Sequence, residues 1–181
     1  MDPSRAAIGQ AAASLAVGLA NPTDIEQIVR LMADNQAERG GSLSALYSPE
    51  QVAGVLQRMP LIVARCAGEV IGFLMTSPVH SPSSPPILRA MLQAYRGEED
   101  AYVYGPICVA EPWRGRGLAQ AMFAELRRAL PGREGILFIR DDNAASLHAH
   151  AKMGMTEVAR FTFQGVPCTV LSFRSEVAAS A

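Results

Sequence analysis

The stretch from Ala101 to Leu130 constrains this chain more than any other. It passes from an apolar strand pattern through a glycine-bearing turn, Arg114-Gly115-Arg116-Gly117, into an amphipathic helix. Apolar residues at 118, 122, 126 and 130, with Ala119 and Phe123 beside them, recur at helical spacing, and Pro131-Gly132 ends the run. Gly105-Pro106 falls inside the strand pattern, where proline cannot donate to a central ladder, so a bulge or bend is predicted there. A helix that starts directly after such a turn presents unpaired backbone N–H groups and the positive end of its dipole. Gly115 and Gly117 let the main chain approach a ligand closely, and Arg114 and Arg116 add local positive charge. These features together predict a phosphate or pyrophosphate site. Two familiar phosphate motifs are excluded: the Gly-Lys-Ser/Thr of a P-loop is missing, and Gln120 stands where G-x-G-x-x-G needs its third glycine.

The 181 residues suit one domain, expected over residues 14–174, with a flexible arm at 1–13 and a tail at 175–181. Apolar residues make up 49% and charged residues only 18%, which supplies a sizeable core and excludes extensive disorder. The net charge is −1, so an anion must be held by a local cluster, and a broad nucleic-acid-binding face is not expected. Cys66, Cys108 and Cys168 have no metal-type spacing, and an odd count does not make a disulfide framework. A reducing, cytoplasmic setting without a metal site follows as the expectation. Arg5–Ala20 has a faint signal-peptide look, but Gln10 and Ser14 interrupt it, and Leu15–Leu19 reads as a first strand. No run reaches the ~18 apolar residues of a membrane helix, so no membrane partner is expected.

Along the chain, Asn21-Pro22-Thr23-Asp24 is a helix start, with Thr23 as cap and Glu26 closing a capping box. Ile25, Ile28, Val29 and Met32 carry that helix to about Glu38, before Gly40-Gly41. A second helix starts at Ser48-Pro49 and includes Val52, Val55, Leu56 and Met59. Leu61–Arg65 and Val70–Met75 predict an antiparallel hairpin around Ala67-Gly68-Glu69. A Pro/Ser-rich loop at 77–86 leads to a short helix at 87–96, the strand at 101–110 and the helix from Leu118. An apolar strand at 136–139, a helix from Asn143 to Met153 and two strands near 156–164 and 167–174 follow. The order predicts a mixed sheet with helices on its faces.

Arg114-Gly115-Arg116-Gly117-Leu118-Ala119 fits the pattern Q/R-x-x-G-x-G/A, preceded by the Ile107-Cys108-Val109 strand end. Asn143 is followed by Ser146 at +3, His150 at +7, and Gly154 and Met155 at +11 and +12. In both features, and in its element order from about 14 to 174, the chain resembles the GNAT superfamily of acyl-CoA-dependent N-acyltransferases. The resemblance implies an α/β (α+β) fold: a mixed, mostly antiparallel sheet of about seven strands with a bulged fourth strand, flanked by four to five helices. It implies acetyl-CoA as co-substrate, held by Ile107, Cys108, Val109, Arg114, Gly115, Arg116, Gly117, Leu118, Ala119, Asn143, Ser146 and His150. The implied reaction is direct transfer of acetyl to a primary amine of a small molecule or amino acid, or to a protein amine. A non-catalytic acyl-CoA-binding or sensing module is the alternative, and a homodimer is compatible with either.

In the family, the bulged strand offers an edge to the pantetheine arm and a backbone N–H to the thioester carbonyl; here the N–H near Cys108 or Val109 takes that role. One such donor is worth about 3 kcal/mol. Cys108 itself reads as a small buried hydrophobe rather than a nucleophile. His150 departs from the family's Tyr. Seven residues beyond Asn143, it lies within about 20° of the same helix face, so it is the candidate general acid, whereas His148 points elsewhere. No base is named: the bulged strand offers Tyr102 and Tyr104 where relatives place Glu, and Glu98, Glu99 and Asp100 are near enough only through water. The acceptor pocket is expected between Arg39–Tyr47, the loop with helix 87–96, and Phe161–Phe173, with Tyr104 and Tyr47 as substrate contacts. These parts are apolar and lack an acidic cluster for polycations.

Overall fold

The computed structural model describes residues 14–41, 43, 45–81 and 84–175; the arm expected at 1–13 and the tail beyond 175 lie outside the described residues. Its strands are β1 (Leu15–Leu19), β2 (Ile62–Cys66), β3 (Glu69–Pro78), β4 (Tyr102–Val109), β5 (Glu134–Arg140), β6 (Thr156–Phe163) and β7 (Val166–Arg174). They form one sheet in the order β1-β2-β3-β4-β5-β7-β6. Every neighbouring pair is antiparallel except β4 and β5. The helices are α1 (Ile25–Asp34), α2 (Pro49–Leu56), α3 (Pro86–Ala94), α4 (Leu118–Ala129) and α5 (Ala144–Lys152).

Alternation along the strands divides the core between the two sheet faces. On one face, Ile62, Leu74, Tyr104 and Leu137 pack with Leu118, Met122, Phe123 and Leu126 of α4, and with Leu147 of α5. On the other, Val63, Phe73 and Cys108 meet Ile28 and Met32 of α1 and Val52 of α2. Met91 of α3 joins Val103, Ile136 and Val170. The 3.6-residue repeat read along 118–130 is thus the buried stripe of α4.

Local chemistry differs from the sequence reading at several ends. The cap is Asn21, not Thr23, and it opens a 3-10 turn, Pro22–Asp24, that leads into α1: its side chain accepts from the Thr23 amide, and Asp24 accepts from the Asn21 amide. Asp24 is buried and paired with Arg65 of β2, which selects this arrangement over one using Glu26. α1 stops at Asp34, short of Glu38. Asn35 Nδ2 and Gln36 Nε2 donate to the carbonyls of Leu31 and Met32, replacing the backbone donors that another turn would need. Ser48 caps α2 as expected, while Met59 lies beyond its end. β3 continues to Pro78, into the predicted loop, because β4 pairs with it that far. Ser175, expected as tail, is buried, and its amide donates to the Arg133 carbonyl.

Candidate active site

The bulge predicted at Gly105-Pro106 is present and shapes the centre of the sheet. Leu74 pairs with Ile107 and Thr76 with Tyr104, so β4 carries one residue more than β3 at this point. On its other side β4 meets β5 only at Tyr102↔Gly135 and Val103↔Ile136. Beyond Val103 the two strands part, leaving an unpaired edge on β4 from Gly105 to Val109.

Which amides face that gap follows from antiparallel alternation. The Ala110 amide donates to Ile71 of β3, so the Cys108 amide, two residues earlier, points the same way. Ile107 and Val109 turn toward the gap, and the Val109 carbonyl is accordingly free to accept from Arg114 Nε at 3.1 Å. Of the two amides considered from sequence, Val109 therefore faces the opening, and Cys108 does not. The Cys108 side chain is buried against α1 and α2, and burial pushes its thiol up to about 11, which suits a packing residue.

Both glycines of the turn after β4 are left-handed, with φ of +71° at Gly115 and +77° at Gly117. A Cβ added at Gly115 would meet nothing within 4 Å, so the main chain there is open to an approaching group. α4 has no side-chain cap, and its first intrahelical bond runs from the Ala121 amide to the Gly117 carbonyl. The amides of Leu118, Ala119 and Gln120 consequently have no acceptor within the helix. Leu118 is buried and Ala119 half-buried, so both contribute main chain rather than side chain to this surface. The two arginines differ. Arg114 is spent internally, its Nη2 donating to Asn35 Oδ1 at 2.7 Å, whereas Arg116 lies over the Trp113 ring at 5.0 Å. Asn35 escaped the sequence reading because nothing local marks a partner 79 positions away.

A cavity of about 500 Å³ opens where β4 and β5 diverge. Tyr104, Pro106 and Ile107 line it from β4, Ile139 and Arg140 from β5, and Asn143, Ser146 and His150 from α5. Tyr47, Leu46, Met59, Ile87 and Leu88 close the far side, so the link before α2 and the start of α3 both contribute, as expected. The closing hairpin does not: no residue of β6 or β7 lines the cavity, and Phe161 instead meets Phe138 edge to face with ring centroids 5.8 Å apart. No aspartate or glutamate lines it among the described residues. Of the three acids considered from sequence, Glu98 is paired with Arg174, and neither it nor Glu99 or Asp100 lines the cavity. Tyr104 is almost wholly core, edge-on to Phe123 and Phe173, yet its buried hydroxyl has no partner and burial raises its pKa strongly.

α5 holds the remaining groups. Asn143 caps the helix by accepting from the Ser146 amide at 3.1 Å, which explains an Asn and a small residue at this spacing. His150, one turn on from Ser146, is 5% exposed, with Nδ1 2.7 Å from the Ser146 carbonyl oxygen. Burial lowers the imidazole pKa below its ordinary value, opposed by that hydrogen bond. His148 faces solvent.

Residues 28–155 match the model of the acetyltransferase (GNAT) family. The chain belongs to that family. Solved GNAT structures share its fold at low identity. An acetyltransferase of the GNAT family from Streptococcus agalactiae superposes with a TM-score of 0.69 at 20% identity, covering 90% of this chain and 96% of that one. NAA60 from Arabidopsis thaliana, solved in complex with acetyl-CoA, gives 0.64 at 19% identity, with coverage of 89% and 98%. YncA of Salmonella typhimurium, a putative acetyltransferase solved with acetyl-CoA, gives 0.63 at 16% identity, with coverage of 93% and 98%. No curated protein matches the sequence. The seven-stranded mixed sheet and five helices of this GNAT chain are the architecture that the family resemblance implied.

Proposed function

We propose that this GNAT protein transfers an acetyl group from acetyl-CoA directly to a primary amine of a small molecule. The observation that carries the proposal is the continuous path from the uncapped N-terminus of α4, along the unpaired edge of β4, to the cavity beside His150. Acetyl-CoA supplies an acetyl group activated as a thioester. The amides after Gly115 suit its pyrophosphate, with Arg116 as the nearby cation. The Ile107 and Val109 main chain suits an extended amide-bearing arm, by the hydrogen bonding that an added strand would make. The amide of Val109 is suited to the carbonyl oxygen as negative charge develops on it. Tyr104, Asn143 and Ser146 bound the space where the acceptor and thioester meet, and Tyr47 lies on the acceptor side.

The cavity favours an acceptor with an apolar body and at most one amine. Its walls combine aliphatic side chains with hydroxyls and the two cations Arg58 and Arg140, and the absence of lining carboxylates, among the described residues, gives a polycation nothing to pair with. Its confined volume suits a small amine or amino acid better than a folded protein surface. Thermal shift tests the cofactor half of this reading. Acetyl-CoA should stabilise the protein by about 2.7 kcal/mol at a hundred times its Kd, with no comparable shift from ATP or NAD. Absence of any shift with acetyl-CoA or CoA would contradict the proposal.

A further inference from the structure

We infer that His150 serves as a proton shuttle, taking a proton from the acceptor amine at Nε2 and returning it to the departing thiolate. The inference rests on the acetyltransferase reading above and assigns the base that the sequence did not reveal.

The argument begins with a carbonyl oxygen. Such an oxygen only accepts hydrogen bonds, so the 2.7 Å contact between His150 Nδ1 and the Ser146 carbonyl favours the hydrogen on Nδ1 over the form in which the Ser146 hydroxyl, 3.3 Å away, donates to that nitrogen. In a neutral imidazole the other nitrogen then carries a lone pair. That nitrogen, Nε2, is buried without a partner in a residue lining the cavity. Protonating Nε2 instead and stripping Nδ1 would set two lone pairs against each other at the Ser146 contact. The Ser146 carbonyl belongs to the first turn of α5, which Asn143 holds by its cap, so the same Asn that starts the helix also fixes the tautomer. In its resting form His150 is thus a proton acceptor, the reverse of the acid expected from the Tyr that the family has at this position.

Among the described residues, no competing base lines the cavity. Among the described residues its lining holds no carboxylate, and burial keeps Tyr47 and Tyr104 protonated. Around His150 itself, Tyr104 of β4 stands edge-on at 5.7 Å, and Arg140, where β5 ends, is paired with Asp142. Burial holds the imidazole neutral at pH 7 and ready to accept.

The step balances without a further reactant. The neutral amine forms a C–N bond to the acetyl carbon, and the C–S electron pair leaves with sulfur. One amine proton moves to Nε2, and the imidazolium then gives that proton to the thiolate. Amine plus thioester becomes amide plus thiol, with no net proton gained or lost.

Two measurements test the inference. In a His80→Asn/His148→Asn variant His150 is the only histidine, and its nitrogen NMR spectrum above pH 7 should show a protonated Nδ1 and an unprotonated, pyridine-type Nε2. The reversed assignment would overturn the proposal, with or without turnover. In kinetics, His150→Gln should lower kcat by about 10²–10⁴-fold and abolish the acid limb of the pH–rate profile, while acetyl-CoA affinity stays within about threefold. An acid limb unchanged in the variant, or an undiminished kcat, would overturn the shuttle. An inactive wild-type protein with the expected spectrum would instead count against the acetyltransferase reading.

Discussion

Arg114, in the glycine turn before α4, donates from Nη2 to Oδ1 of Asn35 at the end of α1, 2.7 Å away. Asn35 in turn donates to the Leu31 carbonyl and, through its own carbonyl, accepts from the Leu43 amide. One buried residue, through its side chain on one side and its main chain on the other, therefore joins the turn proposed for the cofactor with the link that borders the cavity.

This connection separates the two arginines of the turn. Arg114→Ala should destabilise the fold by about 1–3 kcal/mol, because Asn35 loses a charge-assisted partner while buried. Arg116→Ala removes an exposed cation from a stack on Trp113 and should leave thermal stability nearly unchanged. It should weaken acetyl-CoA binding several-fold and reduce its salt dependence, as measured by titration at two ionic strengths.

A second consequence falls on Gly41. A Cβ at this position would lie 1.9 Å from the Asn35 carbonyl oxygen, a backbone atom that cannot swing aside. Gly41→Ala should therefore displace the link to α2, lower the melting temperature and raise the KM for the amine more than for acetyl-CoA. Gly115→Ala is the contrasting variant: it has space for the methyl, but its left-handed backbone makes the substitution cost about 1 kcal/mol.

Cys108 lies on β4, but its side chain and amide face away from the gap between β4 and β5. Cys108→Ala should retain acetyl transfer, and the thiol, with its pKa near 11, should resist alkylation at pH 8 in the folded protein. Loss of activity in Cys108→Ala without loss of stability would show a role for the sulfur.

The buried imidazole also links stability to pH. Its folded pKa lies below the unfolded value of about 6.5, so the unfolded chain binds more protons between the two. Stability from this group is complete above about pH 6.5 and is lost as the pH falls toward the lowered value. Thermal melts from pH 8 to pH 5 should show that decline, and it should be shallower in His150→Gln.

Much of the site could be read in the sequence because it is built from local signals. The glycine turn, the stripe at 118–130, the bulge at Gly105-Pro106 and the cap at Asn143 each depend on residues within one or two turns. What escaped depends on distant partners. Asn21, Thr23 and Asp24 all carry capping oxygens, and only Arg65 across the sheet decides between them. The direction of the Cys108 and Val109 amides follows from the pairing of Ala110 with Ile71. The role of His150 turns on one carbonyl contact whose polarity a residue type cannot express. The closing hairpin, expected at the acceptor pocket, instead packs against β5 and α3, so the cavity owes its shape to fewer elements than the motifs implied.

The most direct test is turnover. The purified protein should be incubated with acetyl-CoA and a panel of amines spanning apolar amino acids, simple alkylamines, polyamines and peptides, following both free-thiol release and product mass. The account predicts thiol release matched by a single acetyl added to a small apolar amine, with polyamines poor acceptors. Saturable acetyl-CoA binding with no acetylated product from any amine would contradict it and leave an acyl-CoA-binding module in its place.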